Sequence, residues 1–206
     1  SKPSSTAGKT DGAGLELALA CTYRVASLSP ATRIGLPDIK VGLLPALGGI
    51  ERLVELLGAR IATGLLLSGE AIAACDALQI GIVDAVAAPA RIETMAVSLL
   101  RERPLMKRPE DGFLGQWLAT RAFPWLGLKD AEKRAQAAGQ DGSPAYGEIV
   151  ALVKRALAAA NDPELAASLA ADVAAAFGRL AISEEARALR YFSFLEISHH
   201  REKPGE

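Results

Sequence analysis

GLELALACTYRVASLSPATRIGLPD, residues 14–38, is the stretch on which the reading of this chain turns. It opens as an apolar helical run in which Leu15, Leu17, Leu19 and Cys21 surround one carboxylate, Glu16. It closes on a second carboxylate, Asp38, directly behind Pro37. Between the two lie strand candidates, TYRVAS (22–27) and TRIGL (32–36), rich in β-branched and aromatic residues. Gly12-Ala13-Gly14 in front of Glu16 lets the backbone turn sharply and approach a ligand closely. The helix start that follows presents free N–H groups, the place where a developing anion is best stabilised. Pro37 fixes its own φ and restricts Leu36, so the chain leaves TRIGL in a defined direction. Read alone, Glu16 is equally an ordinary first-turn glutamate at a helix dipole, and Asp38 an ordinary cap of the next turn.

The same alternation continues outward. Helical periods GGIERLVELLG (48–58), ARIATGLLLSG (59–69) and AIAACDALQIG (71–81) precede a strand candidate IVDAVA (82–87) and a helical RIETMAVSLLRER (91–103). Residues 13–103 therefore read as an α/β core. Residues 1–12, SKPSSTAGKTDG, hold almost nothing apolar and are expected to be irregular, with no strand. Residues 104–206 change character: a Pro-punctuated link gives way to long Ala/Leu-rich helical periods without a strand candidate, an all-helical extension. Ser143-Pro144 and Asp162-Pro163 each read as an N-cap with Pro at the first helical position. The last helix, EEARALRYFSFLEISHH, is expected to dock through Leu189, Phe192 and Ile197.

Composition removes several classes of function. Lys and Arg number 23 against 24 Asp and Glu, a net charge of −1, which suggests neither a nucleic-acid partner nor an acidic membrane surface. No apolar run is long enough to span a bilayer. Cys21 and Cys75 lack metal-ligand spacing, suit a reducing cytoplasm, and read as small core residues. His199 and His200 are the only histidines and lie in a charged tail, which argues against a Ser/His/Asp triad and a His-rich metal site. AGKT (7–10) resembles the end of a phosphate-binding loop, but Pro3 stands where that loop needs its first Gly. No G-x-G-x-x-G follows a strand, so no dinucleotide site is expected. An acid/base enzyme built from this chain would work with carboxylates.

Taken together, GAGLELALACTYRVAS, TRIGLPDIKVGLLPALGGIERL and LLLSGEAIAACDALQIGIVDAV resemble the crotonase (enoyl-CoA hydratase/isomerase) superfamily over about residues 11–103. The later YGEIVALVKRALAAA and AAAFGRLAISEEARALRYFSFLEISHHREKPG resemble the segment joining hydratase and dehydrogenase parts in the multifunctional α subunit of fatty-acid β-oxidation. The resemblance implies the C-terminal part of a ββα spiral core, its N-terminal half lacking, followed by the helical extension. It implies catalytic roles for Glu16 and Asp38, which hold a water between them and add it to a 2-enoyl-CoA thioester. It further implies an oxyanion-binding N–H at Ala13 and substrate contacts at Gly12, Gly14 and Pro37. No cofactor is implied, CoA being part of the substrate. Homo-oligomers or a thiolase partner follow by the same resemblance.

Three departures qualify the transfer. Polar residues replace the family's apolar strand before the Gly motif, SLSPAT makes the Glu16 to Asp38 interval two residues longer than usual, and Asp38 stands where hydratases usually carry Glu. Losing one methylene withdraws the carboxylate by about 1 Å, and a misplacement of that size costs about 100-fold in rate. The alternatives to a hydratase module are a non-catalytic fragment or assembly module, and a Δ3-Δ2 enoyl-CoA isomerase working with one carboxylate.

Overall fold

A computed structural model describes residues 4–6, 9–104, 133, 144–160 and 162–201. Helix α1 spans Ala13–Leu19, and the strands around it are short: β1 Ser4–Thr6, β2 Lys9–Asp11, β3 Arg24–Ser27 and β4 Arg33–Gly35. A 3-10 helix over Pro37–Val41 leads to α2, Gly49–Ser68. Then come α3 Ala74–Ile80, β5 Ala85–Ala87, a 3-10 turn at Pro89–Arg91 and α4 Ile92–Glu102. The extension supplies α5 Pro144–Ala159, α6 Pro163–Ala181 and α7 Glu184–Arg201.

Two parallel sheets organise the core. β3 lies between β1 and β5, with Val25 opposite both Ser5 and Ala85. All four β3 residues are buried, as expected of a central parallel strand covered on both faces. Tyr23 and Val25 pack with Ile92, Ala96 and Leu99 of α4, whereas Ala26 joins the larger core on the other side. The second sheet pairs β2 with β4 in the register Asp11↔Gly35. Strand formation at 4–6 and 9–11 corrects the expectation of an irregular residue 1–12 segment. Parallel pairing uses backbone N–H and C=O groups, which every one of these polar residues carries. A hydrophobic pattern is blind to it.

The helices follow their apolar periods. α2 buries Ile50, Leu53, Val54, Leu57 and Ile61, and it breaks at Gly58 (φ 75°, ψ 158°), where the sequence separates its two helical periods. Ile149, Leu152, Val153 and Ala156 of α5, with Leu169, Val173, Ala176 and Leu180 of α6, belong to the same apolar cluster as Leu53 and Leu57. The extension is therefore docked on the core. Asp162 caps α6, its Oδ1 accepting from the N–H groups of Glu164 (3.0 Å) and Leu165 (3.2 Å). α5 begins at Pro144 as anticipated, while its expected cap, Ser143, lies outside the described residues.

Other expectations change. α7 docks through Ala186, fully buried, and Leu189, partly buried, whereas Phe192, expected to dock, is 63% exposed. The side chain of Ile197 lies outside the description. Cys21 is partly buried and Cys75 exposed, so neither is a core residue. In α3 the positions three apart, Ala74, Ala77 and Ile80, take the inward face, and Cys75 is turned away from it. No single helix among the described residues is long and apolar enough to cross a membrane.

Candidate active site

Parallel pairing of β2 with β4 sets the site, because chains leaving the carboxyl ends of neighbouring parallel strands emerge side by side. Behind β2, Gly12 turns the chain with φ 55° and ψ −129°, and its N–H donates to the Gly35 carbonyl at 3.1 Å. α1 starts at once, so Ala13 and Gly14 are exposed in its first turn, where N–H groups lack intrahelical partners. Behind β4 come Leu36, Pro37 at the first position of the 3-10 helix, and Asp38. A Cβ placed on Gly12 would lie 4.0 Å from Asp38 Oδ2, which measures how close the two chain exits run.

Glu16 is 3% exposed. Its Oε2 accepts two backbone hydrogen bonds, from Leu47 N–H at 2.8 Å and Gly49 N–H at 2.7 Å, at the N-terminus of α2. Burial pushes its carboxyl above the ordinary glutamate value; the N–H groups of Leu47, Gly49 and Ala46 oppose that, and the charge of Asp38 adds to it. Asp38 is also raised, first by burial and then by the charge of Asp11, against the lowering effect of its own backbone N–H. Its Oδ2 is buried without a hydrogen-bond partner among the described residues. Glu16 thus senses the charge of Asp38, and the two carboxylates have unequal surroundings. One is held by the N–H groups of a helix start; the other keeps a buried oxygen unsatisfied.

The extension reaches this site. Gly42 ends the 3-10 helix with φ 69°, and a Cβ there would lie 3.0 Å from Ala186 Cα and 3.2 Å from Leu189 Cδ1. Leu43 N–H donates to the Asp38 carbonyl at 3.0 Å. α7 therefore packs against the turn that carries Asp38. Sequence reasoning singled out Glu16, Asp38, Gly12, Ala13, Gly14 and Pro37, and the structure gathers them at one edge. It did not single out Leu47, Gly49 or Asp11. The donors act through backbone N–H groups, which leave no side-chain signature, and the only available hint was the Gly48-Gly49 pair ahead of a helix. No cluster of side chains suited to a metal ion occurs among the described residues.

The arrangement suits proton transfer between a buried and a half-buried carboxyl group and a small reactant. Comparison with known proteins places it in a family. The enoyl-CoA hydratase/isomerase family matches residues 4–112. Among solved structures, the fold is similar to a carnitinyl-CoA hydratase from Mycobacterium avium (TM-score 0.54, 26% identity, 92% of this chain and 57% of that one). It is also similar to an enoyl-CoA hydratase/isomerase from Pseudoalteromonas atlantica T6c (TM-score 0.58, 19% identity, 93% and 60%). A Streptomyces avermitilis protein named as an enoyl-CoA hydratase gives a TM-score of 0.59 at 22% identity, over 94% of this chain and 55% of that one. The chain spans little more than half the length of these structures. From the match over residues 4–112, together with the shared α/β fold, the chain belongs to the enoyl-CoA hydratase/isomerase family of the crotonase superfamily.

Proposed function

We propose that the site adds water across the C2=C3 bond of a 2-enoyl-CoA thioester, with Glu16 and Asp38 dividing the proton work. The carrying observation is the unequal surroundings of these two carboxyl groups, Glu16 buried and Asp38 half-buried with a buried Oδ2, at the shared edge of β2 and β4. Two N–H bonds at a helix N-terminus favour the ionised form of Glu16. An unpartnered buried oxygen beside another carboxylate favours the protonated form of Asp38. Glu16 then takes a proton from water as its oxygen bonds to C3. The C2=C3 electron pair moves toward the thioester carbonyl, and the Asp38 carboxyl delivers its proton to C2. Ala13, first residue of α1, offers its N–H to the enolate-like oxygen. Gly12 and Gly14 keep that approach open, and Pro37 aims the Asp38 turn.

Family membership supports a CoA thioester as the substrate class, CoA being part of the substrate and no separate cofactor entering. We place the chain in fatty-acid β-oxidation, as the hydratase part of a multifunctional cytoplasmic protein that forms a homo-oligomer or pairs with a thiolase. The helices docked beyond residue 144 favour that placement. One observation favours a second reading, Δ3-Δ2 isomerisation: the hydrogen bonds that hold Glu16 are complete without Asp38, whose side chain is one methylene shorter than the usual glutamate.

In the full-length protein, Glu16→Gln keeps the shape of the side chain and removes its proton chemistry. kcat for hydration of a short 2-enoyl-CoA is expected to fall by at least about 100-fold with KM little changed. An unchanged kcat would remove Glu16 from the mechanism. Product analysis with 3-enoyl-CoA separates the two readings, since an isomerase converts it to the 2-enoyl isomer and a hydratase leaves it.

A further inference from the structure

The turn Leu47-Gly48-Gly49 does more than start α2. Glu16 Oε2 meets both of its outward N–H groups, at 2.8 and 2.7 Å. A Cβ on Gly49 would lie 2.7 Å from that oxygen, 2.8 Å from Glu16 Cγ and 3.0 Å from Cδ. No side chain at 49 can coexist with Glu16 in this position. Gly48 adopts φ 87°, a conformation that favours glycine, and the guanidinium of Arg52 occupies the space where a Cβ would point. That guanidinium donates from Nη1 to the Leu47 carbonyl at 2.6 Å, and the Arg52 N–H donates to the Gly48 carbonyl at 3.2 Å. Arg52 thus fastens from behind the turn whose N–H groups face Glu16.

We infer that this turn is a carboxylate clamp, in which Gly49 is a positioning residue that lets Glu16 reach both donors and Arg52 keeps the turn in its donating conformation. The clamp ties down Oε2 of the carboxylate. Its catalytic meaning rests on the acid/base role proposed above for Glu16, whereas its geometry does not. The charged groups that bear on the pair are Asp38 of the 3-10 helix, acting on Glu16, and Asp11 of β2, acting on Asp38, while the Arg52 guanidinium bonds the turn itself.

The test uses the 206-residue chain and two readouts independent of turnover: the Glu16 titration followed by carboxyl carbon NMR, and thermal unfolding. Gly49→Ala is expected to raise the pKa of Glu16 by about one unit, because the ionised form loses its donors. It is expected to lower Tm when Glu16 is present. In a Glu16→Ala background the same substitution should leave Tm unchanged or raise it, since alanine is the better helix former once the carboxylate is gone. Arg52→Ala should raise the Glu16 pKa as well, and Arg52→Lys, which keeps a charge and a donor, should raise it less.

Equal loss of Tm in both backgrounds, or a Glu16 titration unmoved by Gly49→Ala, would overturn the clamp. If Gly49→Ala folds only when combined with Glu16→Ala, the coupling is demonstrated outright. If neither folds, α2 itself needs the glycine and the inference falls. A clamp that passes while Glu16→Gln leaves hydration by the full-length protein intact would mean that the proposed function fails and the clamp stands.

Discussion

Glu16 shows how one residue carries a cost for the sake of its chemistry. A 3%-exposed carboxylate relies on two backbone N–H groups rather than a cation, and burial still dominates its titration. A folded-state pKa above the unfolded one means that the folded chain binds the proton more tightly. Its favourable contribution is therefore full below the unfolded value near 4.5 and is lost as pH rises through the raised folded value. Asp38 acts in the same direction. Glu16→Gln keeps an acceptor for both N–H groups and removes the charge, so it should raise the unfolding midpoint at neutral pH. That gain should shrink on acidification and vanish below about pH 4, where the wild-type side chain is also neutral. Denaturant titrations at pH 7.5 and 4 check this, and a gain independent of pH would mean that the buried charge is not its source. Glu16 and Asp38 were legible in the sequence because the family motif fixes side chains. Their unequal environments were not, since these arise from N–H groups at Leu47 and Gly49, more than 30 residues downstream of Glu16.

The elements are held in register by polar pins as well as by apolar faces. Arg24 at the start of β3 is buried and spends its guanidinium on three elements: Nη1 donates to the Cys21 carbonyl behind α1 (2.9 Å), Nε to the Ile82 carbonyl behind α3 (2.7 Å), and Nη2 to Asp84 Oδ1 before β5 (3.1 Å). Asp84 Oδ2 returns a bond from the Arg24 backbone N–H at 2.6 Å. Removing one partner strands the other charge in the interior. Arg24→Ala should cost about 3 to 5 kcal/mol, measurable by urea unfolding. The Arg24→Ala/Asp84→Ala pair should cost less than the sum of the two single changes; strict additivity would show that the ion pair is not a unit. The sequence announced β3 as TYRVAS but gave no reason to bury an arginine, because the partner lies 60 residues away. The polar strands β1 and β2 escaped for a related reason, their pairing being written in backbone groups. Helices α2, α4 and α6 were plain from their periods and, for α6, from its Asp162-Pro163 cap.

Among the described residues the larger apolar core is shared by the α/β part and the docked helices, with Ile149, Val153, Val173 and Leu180 clustered with Leu53 and Leu57. Amides of α5 and α6 should therefore resist hydrogen exchange as strongly as those of α2, and uniformly fast exchange over 145–180 would contradict a shared core. The same core leaves one edge open. Leu17 is 72% and Leu47 62% exposed, one on the helix that bears Glu16 and the other at the turn that binds its carboxylate. An acid/base pair works best when its reactant is closed off from water and the oxyanion is held by well-placed donors. The chain covers only 55% and 57% of two matched structures, and Ala13 N–H is the one oxyanion donor proposed within these residues. The 206-residue polypeptide alone should thus hydrate 2-enoyl-CoA about 100- to 1000-fold more slowly than a full-length family member, the usual loss for one missing oxyanion donor. A purified sample assayed at several concentrations decides the matter. Turnover at full-length levels and independent of concentration would mean that these residues close the site themselves, whereas turnover that rises with concentration would mean that a second copy covers Leu17 and Leu47.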